Sequence, residues 1–361
     1  MQKEQNPFEI DFDSYILQSE PSKQERGKLW QTAIGLQQVD GLTPSKYLYE
    51  TAKRNIDGDI TIEEAKKLIL SYYESKVCRE EINEDEKEAD QVSVRICEIL
   101  SEKTFSFTPN LLLSIHSRLF SDVFYKVKAG SFRDYNISKK EWVLDGDSVL
   151  YANADMIRQT LDYDFNQEKS FDYSKVSKID AVKHLTRFVA NIWQIHPFGE
   201  GNTRTTAVFT IKYLNSLGFK VNNEPFEKNS WYFRNALVRA NYTNITKGIY
   251  MNAEYLEKFF RNLLLGESNE LKNRYIHIRY AEESAKNITV NITQNVTVKL
   301  TKNQKKILEL VKENPVILQE EIAAKLGIAR ETVSRNMTKL QTLNILEHVG
   351  ADKNGRWKVK N

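Results

Sequence analysis

Cysteine is scarce in this chain: there are two in 361 residues, Cys78 and Cys97. Such a pair makes neither a disulfide framework nor a metal-ligand spacing, and points to a reducing compartment. Long apolar runs are absent too. No stretch approaches the ~18 or more apolar residues of a membrane-crossing helix. The opening MQKEQNPFEIDFDSY is polar and acidic, without the apolar core of a secretory leader. Charge of either sign is nearly balanced, 52 Lys and Arg against 49 Asp and Glu, a net of +3, so the whole chain is no general polyanion binder. These absences exclude a disulfide scaffold, a membrane-spanning protein and a nucleic-acid coat. A cytoplasmic protein with no membrane partner is expected. What is present is 40% hydrophobic residues, enough for two or three packed domains.

The chain is organised around His196 to Arg204, HPFGEGNTR. The residues before it, 181–195, carry Val182, Leu185, Phe188, Val189 and Ile192 at helical spacing. Those after it, 205–219, carry Val208, Phe209, Ile211, Tyr213 and Leu214. Two buried helices are therefore expected to hold a short loop. Pro197 ends the first helix. Gly199 and Gly201 permit a tight turn whose N–H groups converge. The second helix opens under the loop with free N–H groups that suit phosphate.

His196, Pro197, Phe198, Glu200, Gly201, Asn202 and Arg204 together resemble the signature of the Fic family, whose motif reads HPFx(D/E)GNxR and continues to a further Arg. The resemblance implies a protein nucleotidyltransferase that moves AMP from ATP to a Ser, Thr or Tyr hydroxyl of a target protein or of the chain itself. It implies His196 as the catalytic base and Glu200 as the ligand of Mg2+. Phe198, Gly199, Gly201, Asn202, Thr203 and Arg204 would bind nucleotide, with Asn241 and Tyr242 either on the adenine side or simply packed. Two positions depart from the family: Thr203 stands where Gly is usual, and Ala207 stands where the last Arg usually grips the outer phosphate. The departures leave three readings open: AMP transfer, transfer of another group such as UMP, phosphocholine or phosphate, and a nucleotide-sensing or DNA-binding module.

Upstream, helices are expected over 23–40, 45–57 and 59–75, the last with a Thr61–Glu64 capping box. This unit resembles the inhibitory segment found beside Fic domains, with LQQVDG in place of the usual inhibitory stretch. Asp40 would replace the inhibitory Glu. It could still obstruct the site or serve only structure, because Ala207 removes its usual partner. Residues 1–28 are polar, and EINEDEKEADQ reads as a solvated acidic stretch. His116 lies on the apolar helix 107–120 and reads as structural. Strands at 132–137 and 141–144 are expected to form a β-hairpin. The resemblance makes it the flap that aligns the target; the alternative is a plain surface hairpin.

The tail differs in charge. Residues 299–361 hold 13 Lys and Arg against 7 Asp and Glu, a net of +6 that leaves −3 for the rest. Their pattern is a winged helix-turn-helix: two helices, a turn at Gly327, a third helix, and a strand pair closing on Asn354–Gly355. Arg330, Thr332, Ser334, Arg335 and Lys339 would face a DNA groove, with Lys353, Asn354 and Arg356 near phosphates, best as a homodimer. Protein contact is the alternative. The expected fold is mainly α: a Fic-type helical core with a small β-hairpin flap, plus a C-terminal winged helix. Its expected divisions are 1–100 (inhibitory module), 101–266 (Fic domain), 267–298 (linker) and 299–361 (winged helix).

Overall fold

The computed structural model describes residues 21–76, 82–219, 224–280, 301–342, 345–349 and 356–360. The polar opening up to residue 20, the Asn354–Gly355 turn, and the wing residues Lys353 and Asn354 lie outside the described residues. The chain forms two compact units, Met1–Ser284 and Ala285–Asn361.

The first unit is helical: α1 (Pro21–Gly35), α2 (Lys46–Asp57), α3 (Ile62–Lys76), α4 (Glu84–Ser101), α5 (Pro109–Phe120), α6 (Ile157–Ser170), α7 (Lys178–Ile195), α8 (Asn202–Ser216), α9 (Glu224–Ala240), α10 (Glu254–Leu265) and the short α11 (Asn273–Ile276). One apolar core runs from Trp30 to Ile278. α7 and α8 are the two flanks of the loop. α7 buries the expected face, Val182, Leu185, Phe188, Val189 and Ile192. α8 has no outer face: each residue from Asn202 to Leu214 is buried. A helix enclosed on all sides must carry few charges, and each large apolar side chain it buries stabilises by roughly 1.5–3 kcal/mol. Its lysine has a stated use. Lys212 Nζ donates to Ile99 O at 2.9 Å and Glu102 O at 2.8 Å, meeting the negative end of α4. α8 begins at Asn202 rather than Thr205, because Gly201, at φ 73, turns the chain straight into the helix.

The N-terminal helices pack onto this core. α1 stops at Gly35 and continues as a 3-10 turn, Leu36–Asp40. Only glycine fits at 35, since a Cβ there would lie 2.3 Å from Glu227 O on α9. Ser230 Oγ donates to Gly35 O at 2.6 Å across the same contact. Buried Asp90 on α4 accepts from Ser45 N (2.8 Å), Ser45 Oγ (2.5 Å) and Tyr73 Oη (2.7 Å), fastening α2 and α3 to the core. Burial pushes the Asp90 carboxyl up to about 6, against the pull of those hydrogen bonds. The Thr61–Glu64 capping box forms in both directions.

One expectation needs correction. The segments 132–137 and 141–144 form no strands; the second becomes a 3-10 turn, Trp142–Leu144. Side chains take the backbone groups that a ladder would use. Arg133 Nη1 holds Tyr135 O at 2.7 Å, Asn136 Oδ1 accepts from Ala154 N at 2.9 Å, and Ser148 Oγ accepts from Lys139 N at 3.1 Å.

The second unit contains α12 (Lys302–Glu313), α13 (Gln319–Leu326), α14 (Arg330–Thr342) and the antiparallel pair β1 (Leu346–Val349) and β2 (Arg356–Val359). Leu346 stands opposite Val359. Ile307, Val311, Ile322, Val333, Met337, Leu340 and Leu346 make its core. Gly327, at φ 64, makes the expected turn. Among the described residues no helix is long and apolar enough to cross a membrane.

Candidate active site

His196 is the first residue past α7 and has left-handed geometry, φ 50 and ψ 59, a conformation uncommon for a side-chain-bearing residue. Its Nδ1 faces Trp193 O at 3.2 Å. A carbonyl only accepts, so Nδ1 carries the proton and Nε2 keeps its lone pair. The ring lies against Tyr151, centroids 4.2 Å apart, and edge-on to Trp193 at 5.1 Å. Burial holds the imidazole well below its ordinary pKa; nearby Lys139, Arg234 and Arg133 push the same way, and the Trp193 carbonyl opposes. The result is a neutral base at neutral pH.

Two residues hold the loop from behind. Arg133, which the sequence reading passed over, donates to His196 O (2.8 Å), Tyr135 O (2.7 Å), Ala152 O (2.5 Å) and Ile195 O (3.2 Å). Its own N–H donates to Pro197 O at 2.9 Å. The only trace of this in the sequence is an arginine 63 residues ahead of His196, with nothing local to mark it. His116, expected to be structural, stacks on Phe198 with centroids 3.8 Å apart. It accepts from Gly130 N at 2.9 Å, which leaves Nε2 to donate to Glu200 O at 3.0 Å. Burial pushes its imidazole down to about 4, so it stays neutral.

Within the loop, both glycines are closely approached, and Gly201, at φ 73 against the buried Phe120 ring, admits no side chain. A Cβ at Gly199 would meet Tyr135 Oη at 2.5 Å, and one at Gly201 would meet the Phe120 ring at 2.4 Å. Asn202 spends both side-chain atoms on the loop itself, accepting from Phe198 N at 2.9 Å and donating to Phe198 O at 2.7 Å. Thr203 Oγ1 accepts from Trp193 Nε1 at 3.0 Å, tying α8 to the helix that carries the base. No side chain caps the start of α8, so its opening N–H groups keep their capacity for an anion.

Arg204 is 2% exposed and is held by residues of the N-terminal helices. Its Nη1 donates to Gln37 Oε1 at 3.0 Å and its Nη2 to Glu88 Oε1 at 2.5 Å. Asp40 Oδ2 lies 2.8 Å from Nε but off the line of the N–H bond, so this contact is an ion pair rather than an aligned hydrogen bond. The Phe120 ring lies 4.9 Å from the guanidinium carbon. Glu88 had read as part of a solvated acidic stretch; it is instead a direct partner of the motif. Ala207, one turn further along α8, is fully buried.

Glu200 is the exposed member of the loop, with 53% of its side chain accessible, and Lys139 Nζ lies 2.7 Å from its Oε2. Among the described residues no group of three or more His, Cys, Asp or Glu is arranged to hold a metal. A single accessible carboxylate beside an uncapped helix start does fit Mg2+, which is commonly held by one or two carboxylates together with substrate phosphates. Asn241 and Tyr242 are committed elsewhere. Asn241 Nδ2 donates to Ala190 O and Leu237 O, each at 3.0 Å, and Tyr242 Oη donates to Asp147 at 2.6 Å.

Comparison with known proteins bears on both units. Residues 106–214 match the Fic/DOC family, and residues 300–347 match a family described as winged helix-turn-helix DNA-binding. The chain thus carries a Fic/DOC domain followed by a winged-helix domain. It is similar to the N-terminal Fic domain of Bep8, a VirB-translocated effector protein from Bartonella sp. 1-1C, at 19% identity and a TM-score of 0.37, over 48% of this chain and 81% of that one. It is also similar to the ribonucleoside-diphosphate reductase small chain of Ostreid herpesvirus 1 (isolate France), at 25% identity over 109 residues, 28% of this chain. The chain spans 19% of the length of that curated relative.

Proposed function

We propose that this protein is a Mg2+-dependent protein adenylyltransferase that transfers AMP from ATP to a Ser, Thr or Tyr hydroxyl of a target protein or of the chain itself. The observation that carries the reading is His196: a buried imidazole whose Nδ1 faces Trp193 O at 3.2 Å, so that the proton belongs on Nδ1 and Nε2 keeps its lone pair, in the loop that leads into an uncapped helix. His196 Nε2 accepts the hydroxyl proton as the hydroxyl oxygen bonds to the α-phosphorus. The bond from that phosphorus to the bridging oxygen breaks, and pyrophosphate leaves. The opening N–H groups of α8 receive the phosphate oxygens. Glu200 would hold the metal, which when bound would offset charge on the phosphate chain. Tyr151 packs against the imidazole, ring centroids 4.2 Å apart. Arg204, the natural partner of the β-phosphate, is already engaged by Asp40, Gln37 and Glu88. The N-terminal segment therefore restrains the enzyme.

The test uses purified protein with Mg2+ and each of α-labelled ATP, CTP, GTP and UTP, with γ-labelled ATP as control. Covalent label from α-labelled ATP alone, absent in His196→Ala, supports the reading. Label from another nucleotide replaces AMP with that group. Label from γ-labelled ATP makes the transferred group a phosphate.

For the second unit, we propose DNA binding through α14. Ser334, Arg335, Thr338 and Lys339 line one shallow depression on that helix, and the unit is basic. Arg335→Ala should weaken retardation of duplex DNA and flatten its salt dependence. A salt slope unchanged by the substitution points to protein contact instead.

A further inference from the structure

The cations around the loop have separate commitments. Arg133 is spent on backbone carbonyls, Arg234 pairs with buried Glu141 at 2.8 Å, and Arg204 is held by Asp40, Gln37 and Glu88. Lys139 differs, because its partner is the carboxylate that suits the metal: Nζ to Glu200 Oε2 is 2.7 Å.

Three features set this pair apart from a loose surface contact. The Lys139 side chain is only 25% exposed. Its backbone is pinned, since Lys139 N donates to Ser148 Oγ at 3.1 Å, and the loop is closed again by Glu141 N to Asp147 O at 2.9 Å. The segment is then anchored to α9 through Glu141 and Arg234. The fold thus delivers this ammonium to Glu200 from 61 residues away.

We propose that Lys139 is a tethered counter-cation for Glu200: it neutralises the carboxylate while the divalent cation is away and releases it when a metal–nucleotide complex enters. The proposal rests on the reading that the loop takes a nucleotide and Mg2+. Its physical basis is charge. A bare carboxylate beside the phosphate site repels the incoming polyanion, and a monovalent ammonium removes that repulsion without closing the position to a divalent ion of twice its charge. Ala207 makes the point sharper, because that position supplies no cation and Arg204, one turn earlier on α8, is already paired.

The test measures ATP binding by fluorescence anisotropy of a labelled analogue, with Mg2+ and with chelator. It uses the full chain as wild type, Lys139→Met, Glu200→Gln and the double substitution. Each is repeated with Asp40→Ala, so that an obstructed site is not mistaken for an inert one. Lys139→Met should weaken metal-free binding about tenfold and Mg2+-supported binding about twofold or less. Adding Glu200→Gln should restore metal-free binding, since the repelling charge is gone. Equal weakening with and without Mg2+ would make Lys139 a plain phosphate contact and overturn the proposal, as would no change in either. If neither wild type nor Asp40→Ala binds ATP under any condition, the nucleotide reading itself falls, and the proposal with it.

Discussion

The two ends of the motif loop are built to opposite purposes. At the His196 end Trp193 and Arg133 prepare a base. Trp193 O fixes the tautomer, Arg133 clamps the backbone on either side, and burial keeps the ring neutral. At the Arg204 end the neighbours consume a binding group. Gln37, Asp40 and Glu88 surround the guanidinium that the proposed function assigns to a phosphate. One end is assembled in advance and the other is occupied in advance. Under the proposed function, the chain would keep its reacting group ready and still hold its activity low, because readiness and access sit on different residues of one loop. The occupied end also draws on two separate elements, the turn after α1 and helix α4, so its release does not require the catalytic end to move.

The largest effect is expected at His196. His196→Ala should lower AMP transfer by about a thousandfold, within the range of general-base removal, while thermal unfolding stays close to wild type. Retained transfer would remove the base from the account. Next in size is Arg133→Met. It leaves the carbonyls of Ile195, His196 and Ala152 without their donor, at a cost on the order of 3 kcal/mol for buried unpaired acceptors. A calorimetric melting temperature lowered by several degrees, together with a fall in kcat, is expected; an unshifted melting curve would deny Arg133 its clamping role.

Much of this was legible in the sequence. The paired apolar faces of 181–195 and 205–219 gave the two helices, and HPFGEGNTR gave the loop between them. What stayed hidden was long-range. Asp40 seemed to have lost its partner because position 207 is Ala; yet residues 204 and 207 are one turn apart on the same side of α8, and Asp40 meets Arg204 instead. Glu88 sits in an acidic run whose composition reads as solvated, and nothing local marks it as reaching a motif residue 116 positions away. The alternation in 132–144 suggested strands, but Arg133, Asn136 and Ser148 capture the backbone groups first. The resemblance left Asn241 and Tyr242 either on the adenine side or simply packed; their polar atoms are tied to α7, α9 and Asp147.

Two smaller effects sharpen the contrast. Because the folded protein lowers the His196 pKa, the imidazole is already deprotonated and competent at pH 6.5. The acid limb of kcat/KM should therefore lie below pH 6.5, with activity lost only as pH falls further; a half-maximal rate at 6.5 or above would contradict the buried, cation-flanked base. Trp193→Phe removes the donor to Thr203 Oγ1. It should cost about 1 kcal/mol in unfolding by denaturant and leave nucleotide selectivity unchanged. A changed selectivity would give Thr203 a direct part in binding.

The measurement that tests the central contrast compares initial rates of label transfer from α-labelled ATP for wild type and Asp40→Ala/Glu88→Gln, with His196→Ala as the blank. If the Arg204 end is held closed by the chain's own carboxylates, the double substitution should raise the rate about tenfold or more while the blank stays at background. A rate equal to or below wild type, in a protein that still folds, would show that Asp40 and Glu88 support the site rather than restrain it.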